Sequence, residues 1–364
     1  MERVEVRLKR TCDDSYQILV GHEIMDQLEL IREVQRDADR FVIVTDSMVN
    51  PLYGERIREK LTSDAIPVDI IEIPAGESSK CMSVVLDVAH QLMNLNASRQ
   101  TLLVALGGGV VGDLTGFVAS IFKRSIPFVQ IATSLVAQVD SSVGGKTGVD
   151  IPQGKNLLGT FYQPKAVFID LVFLETLPDK DFKNGMAEII KYGIISDKGL
   201  FQQLEQERDR IVAREPSLMQ AIIKRSCEIK ASVVEKDEKE GDLRRILNFG
   251  HTLGHALEAA SHYRISHGEG VAIGTTAAAK ISHRLDFLDE RSCKRIVHLL
   301  EQYGLPTHIP AGIDTKHILG FLASDKKAVG TRVVFVLASE IGEPFMTADV
   351  PLKTITDIID ELRP

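Results

Sequence analysis

Tryptophan is absent from this 364-residue chain, an absence that decides nothing about function. Other absences exclude more. The four cysteines, Cys12, Cys81, Cys227 and Cys293, are scattered without a Cys-x-x-Cys spacing. That argues against a thiolate metal site or a disulfide framework and suits free thiols in a reducing cytoplasm. No uninterrupted apolar run approaches the ~20 residues that cross a bilayer, so no membrane partner is expected. The opening Met1-Glu-Arg-Val-Glu-Val-Arg-Leu-Lys-Arg10 is charged throughout and lacks the apolar core of a signal peptide. Excess positive charge is missing too: 43 Lys and Arg against 51 Asp and Glu leave a net charge of −8. This argues against a general nucleic-acid binder, while leaving room for a small basic pocket. There is no internal repeat, low-complexity segment or long flexible linker.

What is present reads as a globular chain of roughly two domains. In the first half, short apolar runs alternate with helical patterns. Phe41–Thr45, Val68–Ile73, Thr101–Leu106, Phe128–Ile131 and Ala166–Asp170 predict buried strands, with a helical segment over 79–95 among the connections. Such alternation predicts a mostly parallel sheet. Arg3–Leu8 alternates and predicts a further strand at the sheet edge. After Leu177-Pro178 helical periodicity takes over, at 180–195, 216–236, 252–261, 268–285 and 290–303, followed by a strand-like stretch at 332–337 and a closing helix. The fold class is therefore α/β: a Rossmann-like domain over 1–178 and a mainly helical domain over 179–364, with a cleft between them.

Three histidines carry the first chemical signal. His251 and His255 stand four apart on a predicted helix, one above the other on one face, and His267 follows in a separate segment. Such a set can hold a metal ion with a position left open for substrate. The zincin motif does not fit, because Thr252 stands where its glutamate base would be. Ordinary helix histidines are the alternative, and spacing alone leaves both open. The second signal is Gly107-Gly-Gly-Val-Val-Gly-Asp-Leu-Thr-Gly116, which follows a predicted strand and opens a predicted helix. Glycines and a helix N-terminus there suit a dinucleotide pyrophosphate; a tight ligand-free turn is the alternative. The third, Asp140-Ser-Ser-Val-Gly-Gly-Lys-Thr-Gly148, resembles a P-loop but has Asp140 in place of its first glycine. Lys146, with Lys155 and Asn156 close by, can bind phosphate or carboxylate, or be solvated surface residues.

Together these segments resemble the 3-dehydroquinate synthases, within the sugar-phosphate cyclases. The matching strings are Gly107 to Phe117, Ala137 to Thr147, Gly154-Lys-Asn, Phe161-Tyr-Gln-Pro164, Met186-Ala-Glu-Ile-Ile-Lys-Tyr192, Asn248-Phe-Gly-His-Thr-Leu-Gly-His255 and His267-Gly-Glu269. The resemblance runs over nearly the whole chain and is densest from Thr101 to Glu269. It implies an NAD-binding α/β domain, a helical metal-binding domain, an active site between them, zinc or cobalt, and a homodimer. The implied reaction converts 3-deoxy-D-arabino-heptulosonate 7-phosphate to 3-dehydroquinate and phosphate, with NAD taking hydride from C5 and returning it.

Carried over residue by residue, the metal ligands are Glu188, His251 and His267, and His255 becomes a substrate or proton-transfer residue instead of a ligand. Glu188 and Lys191 share a helix face at i, i+3. The resemblance assigns NAD to Asp46, to Ala75, Gly76, Glu77, Ser78, Ser79 and Lys80, to Gly108, Gly109, Val110, Val111, Gly112 and Asp113, to Thr133, Ser134, Lys146 and Lys155, and to Phe173, Leu174, Glu175 and Thr176. Substrate falls to Asp140, Lys146, Asn156, Lys191, Lys230, Arg244, Asn248, His255 and a lysine of the Lys326-Lys327 pair. Arg124 matches an arginine contributed across the dimer interface. Ser134 replaces a usual threonine, and Ala75 to Lys80 lacks a frequent aspartate and tyrosine.

A substrate with both a carboxylate and a phosphate explains a cation cluster in an acidic chain. The run Glu235-Lys-Asp-Glu-Lys-Glu-Gly-Asp242, just before Arg244, reads as a solvated surface loop. Three rival readings exist. One is a sister cyclase acting on sedoheptulose 7-phosphate, against which stand the cations and Asn248. Another is a metal-dependent polyol dehydrogenase with net NADH formation. The third is a non-enzymatic binding protein, which an intact Glu188, His251 and His267 set disfavours.

Overall fold

The computed structural model describes residues 5, 7–8, 13–62, 66–152, 154–324 and 333–363. Its strands are β1 (Gln17–Gly21), β2 (Phe41–Asp46), β3 (Val68–Ile73), β4 (Leu102–Gly107), β5 (Phe128–Ala132), β6 (Lys146–Ile151), β7 (Gly154–Phe161), β8 (Ala166–Asp170), β9 (Phe335–Glu340) and β10 (Glu343–Thr347). The first-half helices are α1 (Glu29–Val34), α2 (Glu55–Leu61), α3 (Met82–Asn94) and α4 (Gly109–Ile121). The second half holds α5 (Asp179–Ser196), α6 (Lys198–Gln206), α7 (Arg208–Val212), α8 (Pro216–Lys236), α9 (His251–Ala260), α10 (His267–Arg284), α11 (Glu290–Gln302), α12 (Thr315–Ser324) and α13 (Leu352–Glu361).

Six strands form one parallel sheet in the order β1-β8-β5-β4-β2-β3. The five strands expected there are present. The apolar runs of β2, β4, β5 and β8 follow from burial on both faces, while β3 at one sheet edge carries Asp69 and an exposed Glu72. In β2, Val42 and Val44 pack with α3 and α4, while Phe41 and Ile43 point to the opposite side with Ile57 and Leu61 of α2. Of Arg3–Leu8, residues 3, 4 and 6 lie outside the described residues and Glu5, Arg7 and Leu8 belong to no strand; the other sheet edge belongs instead to β1, which pairs with β8 from Gln17↔Ala166 to Gly21↔Asp170. That strand is a half-buried five-residue run, too short for its pattern to stand out.

A second difference is the antiparallel hairpin of β6 and β7. Its glycines allow backbones to meet: a Cβ on Gly148 would lie 2.5 Å from the Leu158 carbonyl oxygen, and one on Gly159 2.3 Å from that of Thr147. Glycine and lysine in place of alternating apolar residues hid these strands from the sequence pattern.

The helical half is arranged around α5 and α10, whose apolar residues join one core with Ala132, Leu135, Val167 and Ile169 of the sheet half. Pro216 begins α8 at a position needing no N–H. Ser266 and Glu269 form a reciprocal capping box at the start of α10. The strand expected from Arg332 begins at Phe335 among the described residues and pairs with β10.

Candidate active site

Buried carboxylate chemistry centres on α5. Glu188 is fully buried, and Lys191 one turn later donates to its Oε2. Two histidines reach the other oxygen, Oε1. His251 Nε2 lies 3.4 Å away and His267 Nε2 3.1 Å. The ligand-capable atoms of Glu188, His251 and His267 all lie within 4.8 Å of one another. His251 opens α9 directly after Gly250, whose φ of +78° is a left-handed turn that favours glycine. Its Nδ1 lies 3.1 Å from the Phe249 carbonyl oxygen, so Nδ1–H donates there and Nε2 keeps its lone pair. His267 is the first residue of α10, placed by the Ser266–Glu269 cap.

Such a donor set, one carboxylate and two imidazoles with fixed outer nitrogens, fits a divalent cation that leaves positions open for substrate oxygens. His255 is exposed, its ring 5.2 Å from that of His251 and 6.0 Å from that of His267. It sits beside the Glu188 group instead of within it. A second trio, His255, Glu258 and His267, also comes within 4.8 Å.

The electrostatics are those of a tightly paired cluster. Burial alone would raise the Glu188 carboxyl, but Lys191 and His251 outweigh it and hold it well below the usual range. Burial pulls His251 down against the attraction of Glu188. Burial would also lower His267, but hydrogen bonds to Glu188 and Glu258 prevail and push it up to about 10.

Asp140 lies in the short helical segment Ala137–Ser141 after β5 and meets α5 through Tyr192, one turn on from Glu188. The Tyr192 hydroxyl donates to its Oδ1 at 2.6 Å, and Lys230 of α8 donates to the same oxygen at 2.8 Å and to the Asp140 carbonyl at 2.7 Å. Burial would raise this carboxyl; Lys230 and Lys191 overwhelm that and hold it below its ordinary value. Lys230 itself is lowered by burial despite Asp140. Arg244 is 2% exposed. Its Nη2 donates to the Gly144 carbonyl at 3.0 Å and its Nη1 to that of Glu238, while its backbone N–H donates to Asp237 Oδ2 at 2.9 Å.

The run before Arg244 is more than a solvated loop. Glu240 reaches into the cluster, accepting from Lys146 Nζ at 2.5 Å and from Asn248 Nδ2 at 3.0 Å. The sequence reading missed Glu240 because neighbouring charges gave its segment the composition of a surface run. It also missed Tyr192 and Glu258, both of which lie within or directly beside quoted strings.

The cofactor candidates gather at the carboxyl ends of β2 to β5. Gly108 caps α4 without a side-chain bond, and a Cβ there would lie 3.1 Å from Ser134 Oγ; one on Gly109 would lie 3.0 Å from Ser141 Oγ. The backbone is thus open to close approach, with the first-turn N–H groups of Gly109, Val110 and Val111 at a helix N-terminus. Gly112 packs against Gln130 and Asp113 pairs with Lys80 at 2.6 Å. Burial raises the Asp113 carboxyl in spite of that pair. Lys80 also donates to Asn156 Oδ1 at 2.6 Å, joining the 75–80 loop to the β6–β7 hairpin.

Of that loop, Glu77 pairs with Lys155 at 3.0 Å, Ser79 donates to the Pro74 carbonyl, the Ala75 N–H donates to Ser47 Oγ at 3.1 Å, and Gly76 and Ser78 are exposed. Thr133 is buried at the end of β5, its N–H on the Gly107 carbonyl. Asp46 accepts from the N–H groups of Met48 and Val49. Phe173 and Leu174 are buried, Phe173 edge-on to Tyr53, which leaves Glu175 and Thr176 as the exposed pair of that segment. Arg124 is exposed in a left-handed turn at the far end of α4. Lys326 and Lys327 lie outside the described residues.

The comparisons with known proteins agree with one another. A family profile described as 3-dehydroquinate synthase N-terminal matches residues 70–184, and one described as 3-dehydroquinate synthase C-terminal matches residues 185–328. The chain is 48% identical over 318 residues to 3-dehydroquinate synthase of Acidithiobacillus ferrooxidans, covering 87% of each chain. Among solved structures it is similar to ValA, the 2-epi-5-epi-valiolone synthase of Streptomyces hygroscopicus subsp. jinggangensis with NAD+ and Zn2+ bound, at a TM-score of 0.90 and 28% identity over 98% of this chain and 99% of that one. It is also similar to 2-deoxy-scyllo-inosose synthase complexed with carbaglucose-6-phosphate, NAD+ and Co2+, at a TM-score of 0.86 and 29% identity over 94% and 96% of the two chains. Sequence identity is thus much higher to the synthase than to the sister cyclases, and two matched profiles span residues 70–328 without a break. The chain belongs to the 3-dehydroquinate synthase family.

Proposed function

We propose that this protein converts 3-deoxy-D-arabino-heptulosonate 7-phosphate to 3-dehydroquinate and phosphate, using one tightly held NAD and one divalent cation, zinc or cobalt. The observation that carries this reading is that α5 serves two sites at once. Glu188 faces His251 and His267; Lys191, three residues on, donates back to Glu188 and acts on Asp140 through its charge; Tyr192, four residues on, donates to Asp140 of the Asp140–Lys230 pair. A metal cage and an anion pocket therefore share one rigid wall, as a substrate that carries hydroxyls at one end and phosphate at the other requires.

When bound, NAD supplies a hydride acceptor and donor, and the cation supplies Lewis-acid polarisation of substrate hydroxyls. This chain's own residues do the rest. Glu188, His251 and His267 would hold the cation; Gly108 to Asp113, Thr133, Ser134 and the 75–80 loop would hold the dinucleotide. Lys146, Lys191, Lys230 and Arg244, with Asn156 and Asn248, receive the carboxylate and phosphate. Desolvation lowers Lys146 and Arg244 against their acidic neighbours, and an arriving anion restores charge compensation, most of all at the buried Arg244, while Lys146 stays 47% exposed. The phosphate of the substrate itself takes the proton released at elimination, and His255, exposed beside the cage, is positioned to move a proton to or from solvent.

The finer organisation belongs to the same proposal. Residues 1–178 form the NAD-binding unit and 179–364 the metal- and substrate-binding unit. The active form is a homodimer, supported by the exposed apolar side chains of β7, where Leu157, Leu158 and Phe161 are 43%, 40% and 44% exposed. Arg124 would reach the partner's site. Free thiols at Cys81, Cys227 and Cys293 suit the cytoplasm.

The test is phosphate release from 3-deoxy-D-arabino-heptulosonate 7-phosphate by purified protein with NAD and zinc, with NADH absorbance followed in parallel and a chelator as control. Metal-dependent release without net NADH is expected. No release, with turnover of sedoheptulose 7-phosphate instead, would move the protein to a sister cyclase; accumulating NADH would make it a dehydrogenase.

A further inference from the structure

Glu258 is 2% exposed, yet neither the motif strings nor the reaction assigns it a task. It sits on the same face of α9 as His251 and His255, seven and three residues on from them. A buried carboxylate is costly unless its charge is compensated, so its partners define its use. Its Oε1 lies 3.1 Å from His267 Nδ1, and its Oε2 accepts from Lys155 Nζ at 3.2 Å. Lys155 also pairs with Glu77 at 3.0 Å and lies over the Tyr263 ring at 4.7 Å. A close wall limits the other side: a Cβ on Gly270 would come 3.1 Å from Glu258 Cγ. The carboxylate is therefore held from three directions and aimed at one ring nitrogen.

His267 has its other nitrogen, Nε2, 3.1 Å from Glu188 Oε1. A neutral imidazole carries one N–H. When a cation takes the place of the Nε2 proton, a carboxylate on Nδ1 keeps the remaining proton there and leaves the Nε2 lone pair for the cation. The Phe249 carbonyl does the same for His251. Resting on the metal reading above, we propose that Glu258 is a positioning residue: it sets the tautomer and ring orientation of His267 for the cation without ligating it. Both its oxygens are already engaged, by His267 and by Lys155, which argues against the alternative in which His255, Glu258 and His267 form the cation site. The same pairing runs on through Lys155 to Glu77 of the cofactor loop, so the ring that meets the cation is braced from the dinucleotide side of the cleft.

The experiment uses full-length metal-free protein titrated with zinc against a chromogenic chelator, with cobalt absorption spectra recorded on the same variants. Glu258→Ala is expected to weaken zinc binding about 10- to 100-fold. Glu258→Gln, which keeps an acceptor oxygen but not the charge, should fall between it and the unaltered protein. Cobalt bands of both variants should keep their positions, because the ligands are unchanged. A merely structural role would lower the melting temperature of the metal-free protein and leave the zinc affinity of the folded Gln variant untouched; that outcome overturns the proposal. Shifted cobalt bands overturn it as well, by making Glu258 a ligand. If Ala does not fold, Gln alone decides. Glu188→Gln in parallel separates the two readings: loss of zinc there with no effect at Glu258 sinks only the positioning role, whereas zinc retained there sinks the metal site itself.

Discussion

Glu240 and Lys146, 94 residues apart, meet at 2.5 Å, the carboxylate arriving from the loop after α8 and the ammonium from the first residue of β6. Glu240 also takes the Asn248 amide at 3.0 Å, so one acidic side chain sets the position of two residues assigned to substrate. Glu240→Ala should therefore cost turnover about 10²-fold, the scale expected when reacting groups are misplaced by an ångström. Zinc content should not change, because the ligand-capable group is Glu188, His251 and His267 and does not include Glu240. Steady-state phosphate release alongside metal analysis checks this, and near-normal kinetics would remove Glu240 from the site.

Arg244 makes the complementary prediction. Its guanidinium spans the carbonyls of Gly144 and Glu238, which fixes its plane for an incoming oxyanion. Arg244→Ala is expected to lower kcat/KM by about 10²-fold or more, the loss typical of truncating a buried charge that pairs with its ligand, with metal content retained. Lysine should rescue poorly, since one ammonium cannot span both carbonyls and still present a planar fork. Full activity in the lysine variant would mean that only the charge matters.

Acid should loosen the loop that carries both residues. The Asp237 carboxylate accepts the N–H groups of Gly241 at 2.7 Å, Asp242 at 2.8 Å and Arg244 at 2.9 Å. Those bonds, led by that of Arg244, hold it down to about 2 from an ordinary 3.8. A depressed carboxyl contributes its stabilisation fully above the ordinary value and loses it as pH falls through the folded one. Protection of these three amides should therefore decline between about pH 4 and pH 2. Hydrogen exchange, corrected for its intrinsic pH dependence, measures this, and Asp237→Ala should remove the transition. Equal protection in that variant would show that the loop is held by something else.

The crossing of α9 and α10 is a stability prediction with a definite sign. A Cβ on Gly274 would lie 1.8 Å from the Gly250 carbonyl oxygen, and one on Gly254 2.8 Å from that of Gly270. In a free helix, alanine would be better than glycine by about 0.5–1 kcal/mol. Here the overlap with backbone reverses this, and Gly274→Ala should destabilise by roughly 1–3 kcal/mol, as overpacked cores do. It should weaken zinc binding too, since the same crossing brings His251 to His267. Thermal unfolding and zinc titration test the pair of effects; a higher melting temperature would refute the packing argument.

The sheet was largely readable beforehand because burial on both faces leaves apolar runs in β2, β4, β5 and β8, and β-branched residues marked the edge strand β3; helical periodicity located α5, α8, α9, α10 and α11 to within a few residues. The edge strand β1 and the glycine-rich hairpin of β6 and β7 were not readable, because neither shows an apolar alternation. The histidine pair was visible but ambiguous: spacing grouped His251 with His255, whereas the folded chain sets His251 and His267 against Glu188, which is 79 residues from His267. Glu240 and Glu258 looked like ordinary charges until their partners came from distant segments.

Local order along the chain, then, determined the elements, the glycine-rich turn at the start of α4 and the set of residue types available for chemistry, since periodicity and backbone freedom are properties of neighbouring residues. Tertiary structure alone decided which carboxylate faces which imidazole and which lysine loses its water. Those outcomes depend on close helix crossings such as Gly250 on Gly274, and on desolvation, which arises only when segments far apart in sequence exclude solvent together.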